Sequence, residues 1–357
     1  MLLLGNEHYP LVSVVLPTFQ SAATLRETIE SVRLQTYSNW ELLIIDEAGT
    51  DDGTRNIATQ ESREDDRIHL LVNERKLGLA ESLNRGIREA SGQYIARVDS
   101  DDRSVEDRFE KQVSYLSQHP EIDIVGGWQQ HYGGKVSTVH KAAADEQECR
   151  ARMLFHCDLC HSTVMMRRDF LIQHKLFYDS RWAQEDWTLW LRALEYGRIA
   201  NIPEVLGDHR VTRNNLTAHK LPLIMEQSGE LTALALKKYL DLELSREYWP
   251  YLRHYLPPAS FMIGHKQREA LGILRNLVVR IRDANLRTGY CRDEVMIHAL
   301  YRFWSQSVRE TYVPEEEMRA RTLEDVFSVV PRRPSVRNMA RHFVIMHRND
   351  YLSEGHE

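Results

Sequence analysis

The sequence predicts an α/β fold in which a parallel sheet is covered by helices on both faces and followed by an all-helical region. Three observations carry this. Strand-like and helix-like segments alternate through the first half of the chain. Polar, acid-rich clusters fall at the ends of the predicted strands, where ligands bind in open α/β sheets. Beyond about Leu221 the strand patterns stop.

Each element has its own signal. VSVVLP (12–17) is a short β-branched run of the kind buried on both faces of a sheet. Ser21 opens a helical pattern with Leu25, Ile29, Val32 and Leu34 on or near one face. ELLIIDE (41–47) reads as a strand ended by the turn-rich AGTDDGT, and IHLLV (68–72) as another. Leu79 to Ile87 reads as a helix, YIARV (94–98) as a strand, and Val105 to Ser117 as a helix. HSTVMMRR reads as a strand opened by His161. In DWTLWLRALEYG, Trp187, Trp190, Leu191 and Leu194 follow the spacing of a buried helical face, with Glu185 and Asp186 at its start. Glu230–Leu240, Gln267–Asn285 and Asp293–Glu310 read as amphipathic helices, with Pro257–Pro258 and Gly289 as breakers.

Composition narrows the function. At 357 residues, 42% apolar and 27% charged, the chain has the make-up of a soluble, well-cored protein. A net charge of −6 argues against nucleic-acid binding by bulk basic charge. No apolar stretch approaches membrane-span length, and MLLLGNEHYP is too short and polar for a signal peptide. Four cysteines in such a chain are no disulfide framework, so a reducing cytosol is expected. Cys157-x-x-Cys160-His161 has c-type haem spacing, but haem attachment requires export and structural zinc a second ligand pair; free thiols are the better reading.

The stretch ARVDSDDRS places Asp99, Asp101 and Asp102 within four positions at a predicted strand end. A turn with a helix cap explains one or two of them. A calcium loop fails, because Arg103 and Ser104 occupy positions that need an oxygen ligand and a glycine. A Mg²⁺ or Mn²⁺ site of the Asp-x-Asp kind, completed by substrate phosphates, gives Asp99 and Asp101 a cation, with Asp102 helping to set the turn.

Seven blocks in order resemble family 2 glycosyltransferases, the mostly inverting enzymes with the GT-A fold. They are VSVVLPTFQ, LLIIDEAGTDDGT, NERKLGLAESLNRGI, GQYIARVDSDDRSVEDRFEKQVSYLSQHPEIDIVGGW, HSTVMMRR, QEDWTLWLRAL and NIPEVLGDHRVTRNN, within about residues 10–217. The resemblance implies a Rossmann-like mixed sheet, a GT-A catalytic domain over 1–220 and a helical extension over 221–357. It implies a nucleotide-diphospho sugar donor, UDP-linked by expectation, a glycan or lipid-linked acceptor, and Mn²⁺ or Mg²⁺. Residue by residue, Pro17, Thr18 and Phe19 would flank the base, and Asp46 and Glu47 would hold base and ribose. Asn84, Ser100 and Glu185 join the donor-binding set, with Lys76, Arg97 and Arg210 as candidates for the diphosphate or as ordinary ion pairs. Asp101 would ligate the metal. Asp99 would contact the donor's ribose or sugar and stands with His209 among candidate metal ligands. Asp186 would be the catalytic base, its alternative being a helix N-cap. His161 would line the acceptor side or bond to backbone.

The chain departs from the family at Asp46-Glu47-Ala48-Gly49, where Asp-Asp-Gly-Ser is usual, and at Asp208-His209-Arg210-Val211-Thr212. A second hypothesis is therefore a non-catalytic nucleotide-sugar-binding or scaffold protein with a degenerate domain. A nicotinamide-dependent Rossmann enzyme is set aside, since PTFQSAA follows the first strand in place of a glycine fingerprint. Arg332, Arg333, Arg337, Arg341 and Arg348, interleaved with apolar residues, suit either peripheral contact with the cytoplasmic membrane face or a packed helix.

Overall fold

A computed structural model describes residues 9–134, 137–211, 216–253 and 265–308. The basic stretch from Arg332 to Arg348, Pro257–Pro258 and Glu310 lie outside the described residues. The chain divides into two compact units. The first comprises Met1–Ala144, Leu159–Arg181 and Thr188–Val211; the second comprises Asp145–Asp158, Trp182–Trp187 and Thr212–Glu357.

The first unit opens with β1 (Val12–Thr18), every residue of which is buried, then α1 (Leu25–Arg33), β2 (Trp40–Asp46), α2 (Thr54–Glu64), β3 (Ile68–Val72), α3 (Leu79–Glu89) and β4 (Tyr94–Arg97). Next come the two-residue β5 (Arg103–Ser104), α4 (Arg108–Gln118), β6 (Ile124–Tyr132) and β7 (Thr138–His140). One sheet results, in the order β3-β2-β1-β4-β8-β6-β9-β5 with β7 beside β6. Here β8 is Met165–Arg167 and β9 is Ile199–Arg210. Strands β1 to β4 pair in parallel, as the alternating pattern predicts; β8 runs antiparallel to both β4 and β6, which makes the sheet mixed.

Two sequence expectations shift, and one long strand goes unread. Leu34 caps α1 and is 54% exposed, outside the buried face of Leu25, Ile29 and Val32. His161 opens a 3-10 turn, because Thr163 closes it by donating both its backbone N–H and its hydroxyl to the Cys160 carbonyl (2.8 Å each); the strand begins only at Met165. The long β9 carries no simple alternation. Its register against β6 breaks between Ile202 and Val205, at exposed Pro203 and Glu204, where proline has no N–H to give.

The core packs α1, α4 and the sheet around Val14, Leu16, Ile29, Leu42, Ile44, Phe109 and Leu116. On the other face α3 lies tight against the sheet. A Cβ on Gly86 would meet Val15 Cγ1 at 2.4 Å and Ile45 Cδ1 at 3.1 Å. Gly86→Ala is therefore expected to destabilise by about 1–3 kcal/mol through overpacking, despite alanine's better helix propensity. Thermal melts check this, and an unchanged midpoint would contradict the close approach.

The remaining helices are α5 (Glu146–Met153), α6 (Arg168–Gln173), α7 (Glu185–Ala193), α8 (Leu216–Leu240), α9 (His265–Thr288) and α10 (Asp293–Val308). Helix α7 begins in the second unit and continues in the first. Its predicted apolar face is buried, with Trp187 and Trp190 at 0% exposure. In the second unit Leu236, Leu274, Leu277, Ile281, Met296 and Leu300 form the buried stripe of α8, α9 and α10. Gly289, at φ +62°, ends α9, and Asn285 grips the turn by bonding both the N–H and carbonyl of Cys291 (3.1 Å each). Among the described residues no helix is long and apolar enough to cross a membrane.

Candidate active site

The parallel register brings the carboxyl ends of β1, β2 and β3 into line, with Thr18 beside Asp46 and Asp46 beside Val72. The acidic turn follows β4, the other parallel neighbour of β1. The start of α1 holds that turn: Thr24 donates to the Ser100 carbonyl and Thr28 to the Asp102 carbonyl (2.8 Å each), and the Ser21 and Ser100 hydroxyls lie 2.7 Å apart.

The three carboxylates have different fates. Asp99 is forked by the guanidinium of Arg97 and accepts from the Ser162 hydroxyl (2.7 Å). Burial, the largest influence, pushes its carboxyl up, but the Arg97 and His161 charges together with the hydrogen bonds from Arg97 and Ser162 hold it below the usual range. Asp102 is 1% exposed and saturated. It accepts from Ser162 (2.5 Å), the Arg210 backbone (3.0 Å) and Gln129 (3.3 Å), and its Oδ1 lies 3.0 Å from His209 Nδ1. Asp101 has no side-chain hydrogen bond or ion pair among the described residues. Burial, followed by the charges of Asp99 and Asp102, raises its pKa to about 6.

This donor set fits a hard divalent cation. Among the described residues no three His, Cys, Asp or Glu side chains gather into a self-sufficient metal cluster. Mg²⁺ and Mn²⁺ do not need one, since they bind through one or two carboxylates plus substrate phosphates and water. Among the described residues Asp101 has no ion-pair partner, while the acids on either side of it are supplied. His209 presents Nδ1 to Asp102, the carboxylate–histidine arrangement that orients a ligating imidazole. Burial alone would lower its pKa, but the Asp102 hydrogen bond and charge raise it, favouring imidazolium while no cation is bound.

Around the turn, Arg210 donates from Nε to the Asp101 carbonyl (3.2 Å) and pairs with Glu27. Arg103 also reaches Glu27 (3.1 Å) and Asp208 (2.9 Å), and both guanidinium groups lie over the Tyr132 ring. At the β2 tip Asp46 is fully buried. Its Oδ2 accepts from Arg55 (2.6 Å), while Oδ1 has no partner among the described residues. Pro17 and Thr18 are buried in β1, and Phe19, 41% exposed, has the Lys76 ammonium 4.5 Å from its ring centroid.

In the second unit, Asp186 sits in the first turn of α7. Its Oδ1 accepts the Trp187 N–H (2.7 Å), and the Cys157 thiol donates to Oδ2 at 3.6 Å. Glu185 is 7% exposed, with Lys220 Nζ 3.8 Å from its carboxylate.

The comparisons with known proteins decide the family. The model of glycosyl transferase family 2 matches residues 13–179. EpsE of Bacillus subtilis (strain 168) is 33% identical over 269 residues, which span 72% of this chain and 94% of that protein. The chain belongs to glycosyl transferase family 2. A second relative of this glycosyltransferase is WfgD of Escherichia coli, a UDP-Glc:alpha-D-GlcNAc-diphosphoundecaprenol beta-1,3-glucosyltransferase. It is 29% identical over 248 residues, 69% of this chain and 92% of that one. The fold is GT-A with a helical C-terminal region. S. aureus TarS 1-349, solved with UDP-GlcNAc, superposes at a TM-score of 0.56 with 16% identity, covering 86% of this chain and 91% of that one. The mannosyltransferase PcManGT from Pyrobaculum calidifontis, solved with GDP-Man and Mn2+, gives 0.52 with 14% identity over 86% and 88%.

Within the glycosyltransferase the sequence-derived candidates separate. Asp99, Ser100, Asp101, His209 and Arg210 come together at the acidic turn, and Asp46, Glu47, Phe19 and Lys76 gather at the tips of β1 and β2. Arg97 is 2% exposed and forks Asp99, so its guanidinium is a buried brace with no open face for a diphosphate. Asn84 is committed to the Tyr178 backbone, donating to its carbonyl (2.9 Å) and accepting its N–H (2.7 Å). His161 bonds the Tyr178 hydroxyl (2.8 Å), and burial first, then Arg97, drives its pKa well below the ordinary value. Sequence reasoning missed Ser162, which ties Asp99 to Asp102, and Glu27, which gathers Arg103 and Arg210. Ser162 lay inside a quoted block, but nothing in its type or spacing marks the bridge.

Proposed function

We propose that this glycosyltransferase moves a sugar, with inversion, from a UDP-linked donor to a hydroxyl of a lipid-linked saccharide or glycan. The observation that carries the reading is the unequal supply of the three acids after β4, where Asp99 and Asp102 are satisfied by protein and Asp101 is not. Asp101, with His209 as a further candidate, would hold Mn²⁺ or Mg²⁺ together with the donor's phosphates. The cation would supply Lewis-acid neutralisation of the leaving diphosphate. Asp99, fixed by Arg97 and Ser162, is oriented to accept hydrogen bonds from donor hydroxyls. Phe19 would offer an aromatic face to the base, and Asp46 a buried acceptor oxygen that has no partner among the described residues. Asp186 would take the proton from the attacking acceptor hydroxyl.

The acceptor class is suggested by WfgD, whose own acceptor is a GlcNAc-diphosphoundecaprenol. A donor screen tests the reading: nucleotide sugars are incubated with Mn²⁺ and sugar release is followed. UDP-sugar hydrolysis that stops with EDTA is expected. Preference for another nucleotide would overturn the uridine assignment, and no turnover or nucleotide binding under any metal would favour the scaffold reading.

A further inference from the structure

The second acid of the β2 tip, expected to hold base and ribose, is instead committed to backbone amides of the protein. Glu47 is 5% exposed and both its carboxylate oxygens point into the loop between β3 and α3. Oε1 accepts the Leu77 N–H (2.8 Å) and Oε2 the Gly78 N–H (2.5 Å); Asn73 Nδ2 (3.5 Å) and Ser82 Oγ (3.4 Å) lie at the edge of the same pocket. Gly78, at φ +82° and ψ 169°, adopts a conformation essentially confined to glycine, so its N–H is delivered by sequence design. On its other side Glu47 donates its own N–H to the Thr18 carbonyl (3.0 Å), immediately before Phe19. Residue 47 thus bonds both to the segment carrying Phe19 and to the loop carrying Lys76, and those two side chains meet at 4.5 Å.

Building on the UDP-donor reading, we infer that Glu47 is a positioning residue for the nucleotide: it clamps the Asn73–Gly78 loop so that Lys76 stands over Phe19, forming one aromatic-plus-cationic recognition element. The chemistry matches a nucleoside diphosphate, which offers a planar base to an aromatic face and anionic phosphates to an ammonium. Glutamate has the reach for this role. Aspartate, shorter by one carbon–carbon bond of about 1.5 Å, leaves the two loop amides beyond hydrogen-bond distance. The departure from the usual Asp-Asp pair then exchanges a ligand contact for a loop anchor.

Calorimetric titration of UDP in Mn²⁺ tests this with wild type, Glu47→Asp, Lys76→Met and the double variant, each checked by thermal melting. Lys76→Met is expected to weaken UDP about tenfold and Glu47→Asp, which misplaces the ammonium without removing it, about fivefold, equivalent to about 1.4 and 1.0 kcal/mol. The double variant should be no weaker than Lys76→Met alone, because Glu47 acts through Lys76. Unchanged affinity in Glu47→Asp, or effects that multiply to about fiftyfold in the double variant, would overturn the inference while leaving the donor reading intact. If Glu47→Asp does not fold, Lys76 decides alone: an unchanged affinity in Lys76→Met, a surface substitution, overturns it. Absence of UDP binding by the wild type would overturn the donor reading and this inference together.

Discussion

Asp101→Asn is expected to lower turnover by about three orders of magnitude or more and to abolish the Mn²⁺ dependence of UDP binding. The reasoning is electrostatic. A cation acting as Lewis acid on a leaving diphosphate contributes several kcal/mol to the transition state, and each 1.4 kcal/mol is about tenfold in rate. Among the described residues Asp101 is the acid of the trio with no cation or donor on its carboxylate, so the proposed function assigns the ion to it. The same residue should act on stability with the opposite sign. Its pKa in the folded protein is raised to about 6, first by burial and then by Asp99 and Asp102. The native state therefore binds this proton more tightly than the unfolded chain. Above its folded pKa the ionised group opposes folding, and that penalty is relieved as pH falls from about 6 to about 4. Removing the charge should raise metal-free stability near neutral pH by about 1–2 kcal/mol, after discounting for solvent screening. A variant that is more stable, yet deaf to Mn²⁺, is the combined signature. Loss of both stability and activity would point to a purely structural role. In the wild type, metal-dependent UDP binding should fade as pH drops through about 6, because the protonated carboxyl no longer ligates.

Asp186→Asn carries the second large effect. The two roles for this residue make different predictions. In a purely structural role Asp186, a first-turn acid of α7 and not its N-cap, stabilises the helix start by about 0.3–1 kcal/mol, so asparagine costs at most that. As general base it contributes about 10²- to 10⁴-fold to turnover, which asparagine cannot supply. The substitution keeps the acceptor oxygen that meets the Trp187 N–H and removes only the proton-accepting carboxylate. The expected result is a kcat reduced by about 10²-fold or more with UDP affinity and melting temperature nearly unchanged. Full turnover in the variant would eliminate the base assignment.

How much of this was legible in the sequence differs by residue. Strands β1, β2 and β4 were, because strands buried on both faces show as short apolar runs such as VSVVLP; the half-exposed edge strand β3 was read from IHLLV. The long β9 was not, since Pro203 and Glu204 form an exposed bulge that interrupts any alternation. The acidic turn was visible from the spacing of Asp99, Asp101 and Asp102. Which acid remains unsupplied was not, because the partners that satisfy the other two come from distant chain positions: Ser162, Gln129, His209 and Arg210. The same limit explains Arg97, whose type suggested a phosphate contact while its burial beside Asp99 makes it a brace. Glu47 shows it again: the family pattern points its carboxylate to the donor, and only the positive φ of Gly78 reveals the loop amides it serves.

The most direct test of the central claim, that the donor diphosphate is held through a divalent cation at Asp101, is a calorimetric titration of UDP into wild type and Asp101→Asn, each with Mn²⁺ and with EDTA. Wild type should bind UDP at least about tenfold more tightly with Mn²⁺, and the variant should show the same weak affinity in both conditions. Equal enhancement by Mn²⁺ in the two proteins would contradict it.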